Sequence, residues 1–331
     1  MTGLLRELPL VNASQRDAIL RAPRTSAAHR TLLRSLPAMN ALQAGGQTTL
    51  DVLPAETTVV AWNLERCLFP GASAAHLHPV APHVVLLSEM DHGMARTAQR
   101  HTTEEMAAAL GMSYVFGVEF YEMDLGGETE RTFCEDDYNA RGWHGNAVLS
   151  AVPIQEAVLI RLDDHGHWFS AETGADPGQP RVGGRNAIAA ILPGATGPLC
   201  FVSTHLESNA DGVHRAGQFD RLMDAVDTFA PNLPIVIGGD LNTGNHMPPH
   251  YHWQEEPLFA RAEARGYDWS ANADGFTTRP SLITNHPARQ MKLDWICVRG
   301  ATPSAPGILS SLGTSGHPLS DHDAVHVNIT A

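Results

Sequence analysis

The sequence predicts an α/β fold of four layers, a sandwich of two packed mixed β-sheets flanked by helices, preceded by a helical N-terminal extension. Three observations point there. From residue 57 onward, nine short β-branched and aliphatic runs are bounded by turn residues. Stretches with apolar residues at three- and four-residue spacing lie between some of these runs. A chain of 331 residues with 43% hydrophobic content is long enough for one large sandwich or two small domains with a sizeable core.

In chain order, residues 3–42 carry helical spacing (Leu4, Leu5, Leu8; Ile19, Leu20; Leu32, Leu33, Leu36), broken near Pro23 and ending at the turn-prone pair Gly45-Gly46. Residues 1–50 are therefore expected to be a helical extension that packs on the main domain, forms a dimer contact or lies on a membrane surface. Residues 51–331 form the main domain. Its expected strands are 57–62, 83–87, 114–120, 145–150, 187–192, 199–204, 235–238, 293–298 and 325–329. Helices are expected over 93–110 and 213–229; in the second, Ala216, Phe219, Leu222, Met223 and Val226 share one face. The segments 124–142, 163–184 and 245–257 read as loops that shape substrate access.

The formal charge is −14, with 22 basic residues against 36 acidic. Such a chain repels a long phosphate polymer unless its cations cluster, so long duplex nucleic acid is a disfavoured partner while a single phosphate is not. Lys292 is the only lysine, leaving arginine to supply the planar forks that grip phosphate. Cys67, Cys134, Cys200 and Cys297 form no C-x-x-C pair and read as free thiols. With no apolar run long enough to span a bilayer and no signal-peptide pattern at the N-terminus, the expectation is a soluble cytoplasmic protein.

The expected strands end in polar residues. The first runs into Trp62-Asn63-Leu64-Glu65, the second into Ser88-Glu89-Met90-Asp91, the sixth into Thr204-His205 and the seventh into Asp240-Leu241-Asn242, while Asp294 opens a strand and Asp321-His322 precedes the last. Side chains at adjacent strand ends converge on one rim of a sheet. Mg²⁺ or Mn²⁺ takes oxygen ligands, which Asn63 and Glu89 offer, and Asp240, Asn242 and a histidine can divide the handling of a water nucleophile and a phosphate. Taken singly, each is as well explained as a turn residue, a helix cap or a paired buried acid.

Taken together and in order, W-N-L-E, L-S-E-M-D, G-N-A-V-L-S, S-T-H-L, G-G-D-L-N-T, L-D-W-I and S-D-H-D resemble the endonuclease/exonuclease/phosphatase (DNase I-like) superfamily, over residues 57–329. The resemblance implies that Asn63 and Glu89 hold the catalytic Mg²⁺ or Mn²⁺, with Asp321 a further ligand, direct or through water. It implies that Asp240 orients or deprotonates the attacking water and Asn242 contacts the scissile phosphate. His322, oriented by Asp294, serves as general base or charged phosphate contact, and His205 binds phosphate or assists the leaving group. Arg185 and Asn146 stand at substrate-binding positions. Ser88 replaces the glutamine that many members carry before the metal glutamate. The lysine-rich loops of DNA-binding members are absent, and His246, His250 and His252 have no counterpart.

The function expected is metal-dependent phosphoester hydrolysis, on a small-molecule or lipid-head-group ester. The alternatives are a nuclease of the same superfamily and a silent phosphoester-binding scaffold. Gly244-Asn245-His246 superficially resembles an element of binuclear metallophosphoesterases, but the D-x-H and H-x-H partners do not occur in the required order.

Overall fold

Strand β3, Glu56–Arg66, is where the apolar alternation of the sequence becomes a central strand, buried along nearly its whole length. Around it the computed structural model, which describes residues 3–173, 175, 180–246, 251–285 and 290–331, builds two sheets. The larger sheet comprises β1 (Gly3–Leu5), β2 (Ala41–Gly46), β5 (Ser113–Glu122), β6 (Trp143–Ser150), β4 (Val84–His92), β3, β14 (Ala324–Thr330) and β13 (Thr302–Leu309), in that spatial order. The short β8 (Arg181–Gly183) also pairs with β5. The smaller sheet runs β12 (Asp294–Arg299), β11 (Ile235–Asp240), β10 (Gly197–His205), β9 (Asn186–Gly194) and β7 (Glu156–Arg161).

The apolar clusters follow the layers. Val59, Ala61, Leu86 and Val148 of the large sheet meet Ile188, Phe201, Val236 and Ile296 of the small one. The other face of the large sheet (Trp62, Leu87, Phe116) takes Ile19 of α1 (Ala13–Arg21), Leu33 of α2 (Ser26–Ser35), Ala74 of α3 (Pro70–His76) and Met106 of α4 (Thr102–Leu110). Phe219 and Leu222 of α6 (Gly212–Phe229), with Leu258 of α7 (Pro257–Glu263), cover the outer face of the small sheet. This is the four-layer α/β sandwich. Removing those apolar faces from water is its dominant stabilising term.

All nine expected strands form, most of them longer than their apolar cores because the polar ends also pair. Other parts differ from expectation. The first fifty residues hold two helices, but Gly3–Leu5 and Ala41–Gly46 are strands. The Gly45-Gly46 pair ends a strand: a Cβ at Gly45 would lie 2.8 Å from the Tyr114 hydroxyl, so only glycine lets β2 pass that ring. Within 93–110 only Thr102–Leu110 is α-helical, since Gly93, Ala98 and Gln99 adopt left-handed backbone. β7 and β13 were not expected. β13 is mostly solvent-facing and carries prolines, which a sheet tolerates at its edge. The segment 124–142 contains a short helix, α5 (Glu128–Arg131), and 163–184 contains β8. His250 and the rest of 247–250 lie outside the described residues. The four cysteines are free. Among the described residues no helix is long and apolar enough to cross a membrane.

Candidate active site

The polar strand ends converge because β3 and β4 run parallel in one sheet, β10 and β11 run parallel in the other, and the four C-terminal ends share a rim. In the small sheet His205 pairs in register with Asp240, and Asp240 with Asp294, so three strands place the three residues in one row. In the large sheet the register shifts between Asn63 and Arg66 on β3, between Leu87 and Met90 on β4, and between Val118 and Phe120 on β5. Such bulges re-aim side chains. Glu89 has φ 60°, and Glu65, Arg66 and Cys67 form a left-handed run (φ 43°, 76° and 56°). Non-glycine residues reach that region at a cost of about 1–3 kcal/mol each and cluster at functional sites.

The glycines before Asp240 have separate reasons. A Cβ at Gly238 would meet Leu86 of the opposite sheet at 2.9 Å, and one at Gly239 (φ 151°) would meet the Thr204 carbonyl oxygen at 1.9 Å. Glycine here lets the two sheets approach and keeps β11 against β10 up to the carboxylate.

Asp240 is the hub. Its Oδ2 accepts from Asn63 Nδ2 at 3.0 Å and lies 3.5 Å from His205 Nε2 and 3.7 Å from His322 Nε2. Its Oδ1 accepts from the Asn242 backbone N–H at 2.8 Å. The same Asn63 amide donates to Glu89 Oε1 at 3.2 Å, joining the two sheets across the cleft. His322 Nδ1 donates to Asp294 Oδ2 at 2.8 Å. Its loop is held by Trp62 Nε1 donating to the His322 carbonyl (2.9 Å) and Ser320 Oγ donating to the Asn63 carbonyl (2.7 Å). Asp240, Asp294 and His322 offer ligand atoms within 4.8 Å of one another, a group able to hold a metal ion.

Burial favours the neutral imidazole at His322, but Asp294, Asp321 and Asp240 surround it and hold its pKa well above the ordinary value. Burial raises Asp294 to about 6, although His322 works against this. At His205, burial and the Arg185 guanidinium depress the pKa, while Glu119 and Asp240 outweigh them and raise it. Burial would also raise Glu89, yet Arg66 and the imidazoles of His144, His205 and His322 hold it well below the carboxylate range. Asp321 is raised by burial and then by Glu89, and Glu65 rises to about 7 through burial and the facing Asp321.

The structure thus brings Asn63, Glu89, Asp240, His205, Asp294, His322 and Asp321 into one cleft. Asn242, with φ 50°, sits at its floor, donating to the Leu206 carbonyl. Arg185 is buried between Glu119 (3.0 Å) and Glu207 (3.3 Å) and packs against His205. Asn146 is fully buried: its Nδ2 donates to Asn186 Oδ1 at 2.8 Å, while its buried Oδ1 has no hydrogen-bond partner among the described residues. Sequence reasoning missed Glu119, Glu207 and Arg66, and gave no role to Glu65, which stands in W-N-L-E. Arg66 pairs with Glu89 and, at 2.8 Å, with Glu130 of α5. Arg66 directly follows the W-N-L-E motif, which was the available signal; Glu119 sits in an ordinary apolar strand and gave none.

Comparison with known proteins adds the lineage. The family model described as "Endonuclease/Exonuclease/phosphatase family" matches residues 60–322. A curated relative, the uncharacterised protein YbhP of Escherichia coli (strain K12), is 29% identical over 193 residues, covering 57% of this chain and 63% of that protein. An endonuclease/exonuclease/phosphatase from Beutenbergia cavernae DSM 12333 superposes with TM-score 0.59 at 18% identity, covering 83% of this chain and 71% of that one. D. rerio TDP2 complexed with single strand DNA product superposes with TM-score 0.51 at 15% identity, over 83% and 99%. Both structural likenesses speak to the fold alone. The matched model takes in most of the chain and every strand end that carries the cleft: the chain belongs to the endonuclease/exonuclease/phosphatase family.

Proposed function

We propose that the protein is a divalent-metal-dependent phosphoester hydrolase acting on a small-molecule or lipid-head-group ester. The observation that carries this reading is the Asn63 amide shared between Glu89 and Asp240, which fixes a metal-type carboxylate and a base-type carboxylate on opposite sheets of one cleft.

The donor set fits Mg²⁺ or Mn²⁺. Asn63, Glu89 and Asp321 offer hard oxygen atoms, and Glu65, which like Asp321 is raised first by burial, adds a further carboxyl group facing Asp321. Bound there, the ion would neutralise phosphate oxygens and polarise the phosphorus. Asp240 takes or orients the proton of the attacking water, steadied by the Asn242 N–H on its other oxygen. Asn242 faces the scissile phosphate. His322, kept protonated by Asp294, offers Nε2–H to a phosphate oxygen, and His205, braced by Glu119, acts on the leaving-group side. Arg185 and the Asn146–Asn186 pair serve the substrate by holding His205 and β9 in place.

With Mg²⁺ or Mn²⁺ the full-length protein is expected to hydrolyse phosphomono- or diesters, EDTA to abolish turnover, and Asp240→Asn to lower kcat by at least about 100-fold. Turnover indifferent to EDTA and to Asp240→Asn would refute the mechanism. A nuclease is the second reading, favoured by the fold shared with a protein captured with single strand DNA product. Preference for oligonucleotides over small esters would select it.

A further inference from the structure

A cavity of about 310 Å³, lined by Phe69, Ala72, Leu282, Pro318 and Leu319, with Ser315 and His317 as its polar contributors, opens beside the cleft. Its walls come from the segments that carry the site. Phe69 stands three residues after Arg66. Leu282 follows Ser281, whose hydroxyl donates to Glu65 Oε1 at 2.6 Å, and Thr284 N–H donates to the same oxygen at 3.1 Å. Leu319 lies two residues before Asp321, a Cα separation of at most about 7 Å. The left-handed run 65–67 turns the chain so that Arg66 pairs with Glu89, and α3 begins at Pro70 just beyond Phe69, which is 38% exposed.

An open apolar cavity joined to a charged cleft is the arrangement of a ligand site in which few polar groups fix orientation and apolar walls supply affinity. The charged side here is already matched to phosphate. The apolar side adjoins it along the chain, since Leu282 follows the Ser281 that holds Glu65 and Leu319 stands two residues before Asp321. We propose that this cavity is the subsite for a hydrocarbon group borne by the phosphoester, so that the protein selects substrates with an apolar chain or ring next to the phosphate. The assignment rests on the phosphoester reading above and narrows it. Its volume admits a run of methylenes or an aromatic ring, and among the described residues no lysine or arginine lines it.

The test separates the subsite from the chemistry. Methyl-, hexyl-, octyl- and phenylphosphonate, whose C–P bonds are not hydrolysed, are titrated calorimetrically into the full chain with Mg²⁺. Full burial of each methylene favours binding by about fourfold, so even partial burial of the five added methylenes should lower Kd by at least about tenfold from methyl to hexyl. Ala72→Phe, on the exposed face of α3, fills the cavity and should remove that gain while leaving methylphosphonate affinity and the melting temperature unchanged. The hexyl and phenyl arms tell a chain from a ring. Equal affinities across the series, or a gain retained in Ala72→Phe, overturn the subsite even if esters are hydrolysed. Chain-dependent binding lost in Ala72→Phe supports it; if the corresponding alkyl and phenyl phosphate mono- and diesters, assayed separately with Mg²⁺, are then not hydrolysed, the hydrolase reading falls while the cavity stands as an apolar-phosphate site.

Discussion

Arg66 is the residue whose removal tells most about the charges. It pairs with Glu89 and Glu130 while Arg96 joins Glu130, Glu122 and Asp91, so a chain of alternating charges runs from the cleft into the sheet. Arg66→Met leaves Glu89 without its arginine while Glu130 keeps Arg96, an unbalanced charge that costs about 3 kcal/mol at a largely buried pair. A divalent ion at Glu89 replaces part of the lost charge. Scanning calorimetry should therefore show Arg66→Met melting well below the parent in EDTA and recovering more with Mg²⁺ than the parent gains; equal Mg²⁺ gains in both would remove Glu89 from the metal site. At this scale the convergence of polar residues was readable where they follow a strand end, as at Asn63, Glu89, Asp240 and His322. It was silent at Glu119, because an acid aimed inward by a bulge looks like any acid in a strand until the bulge is seen.

Strand β4 shows what an element adds to its residues. Beyond Glu89 it ends at His92, which stacks on His101 with ring centroids 3.8 Å apart, enclosed by Trp143, Phe116 and Tyr114. Burial first, then His101 and Arg141, lower His92 to about 2; burial and Arg141 lower His101 to about 3. Both rings are neutral in the fold and protonate near their ordinary value in the unfolded chain. The unfolded state therefore binds more protons below that value, and stability falls as pH drops toward the folded pKa values. The slope is about 1.4 kcal/mol per pH unit for each histidine. Urea unfolding between pH 4 and 7 should show this fall, and a His92→Phe/His101→Phe variant should flatten it; parallel profiles would mean that the pair does not govern acid stability. Elements with strong apolar alternation were legible. β13, solvent-facing with prolines, was not, because an edge strand is held by one neighbour and leaves no apolar signature.

For the molecule as a whole, net charge and layering set the conditions under which the cleft works. At −14 the protein repels polyanions over a Debye length, and salt relieves that repulsion. Raising ionic strength from about 0.05 to 0.3 M should increase kcat/KM for an oligonucleotide and leave a singly charged diester unchanged. A falling kcat/KM for the oligonucleotide would reveal a basic path that composition conceals. The sandwich itself was legible from its runs and their lengths. The place of residues 3–46 in the large sheet was not, since β1 and β2 are defined by pairing with each other and with β5, at separations that local pattern does not encode.

The Trp62 indole that grips the His322 carbonyl does so across 260 positions of chain. The cleft therefore needs both ends of the catalytic segment in place. A chain still being synthesised carries Asn63 and Glu89 before Asp240 and His322 exist to face them, and fragments that stop short of His322 lack part of the cleft. Under the hydrolase reading proposed above, completeness of the fold would be the first control on when reactivity is released.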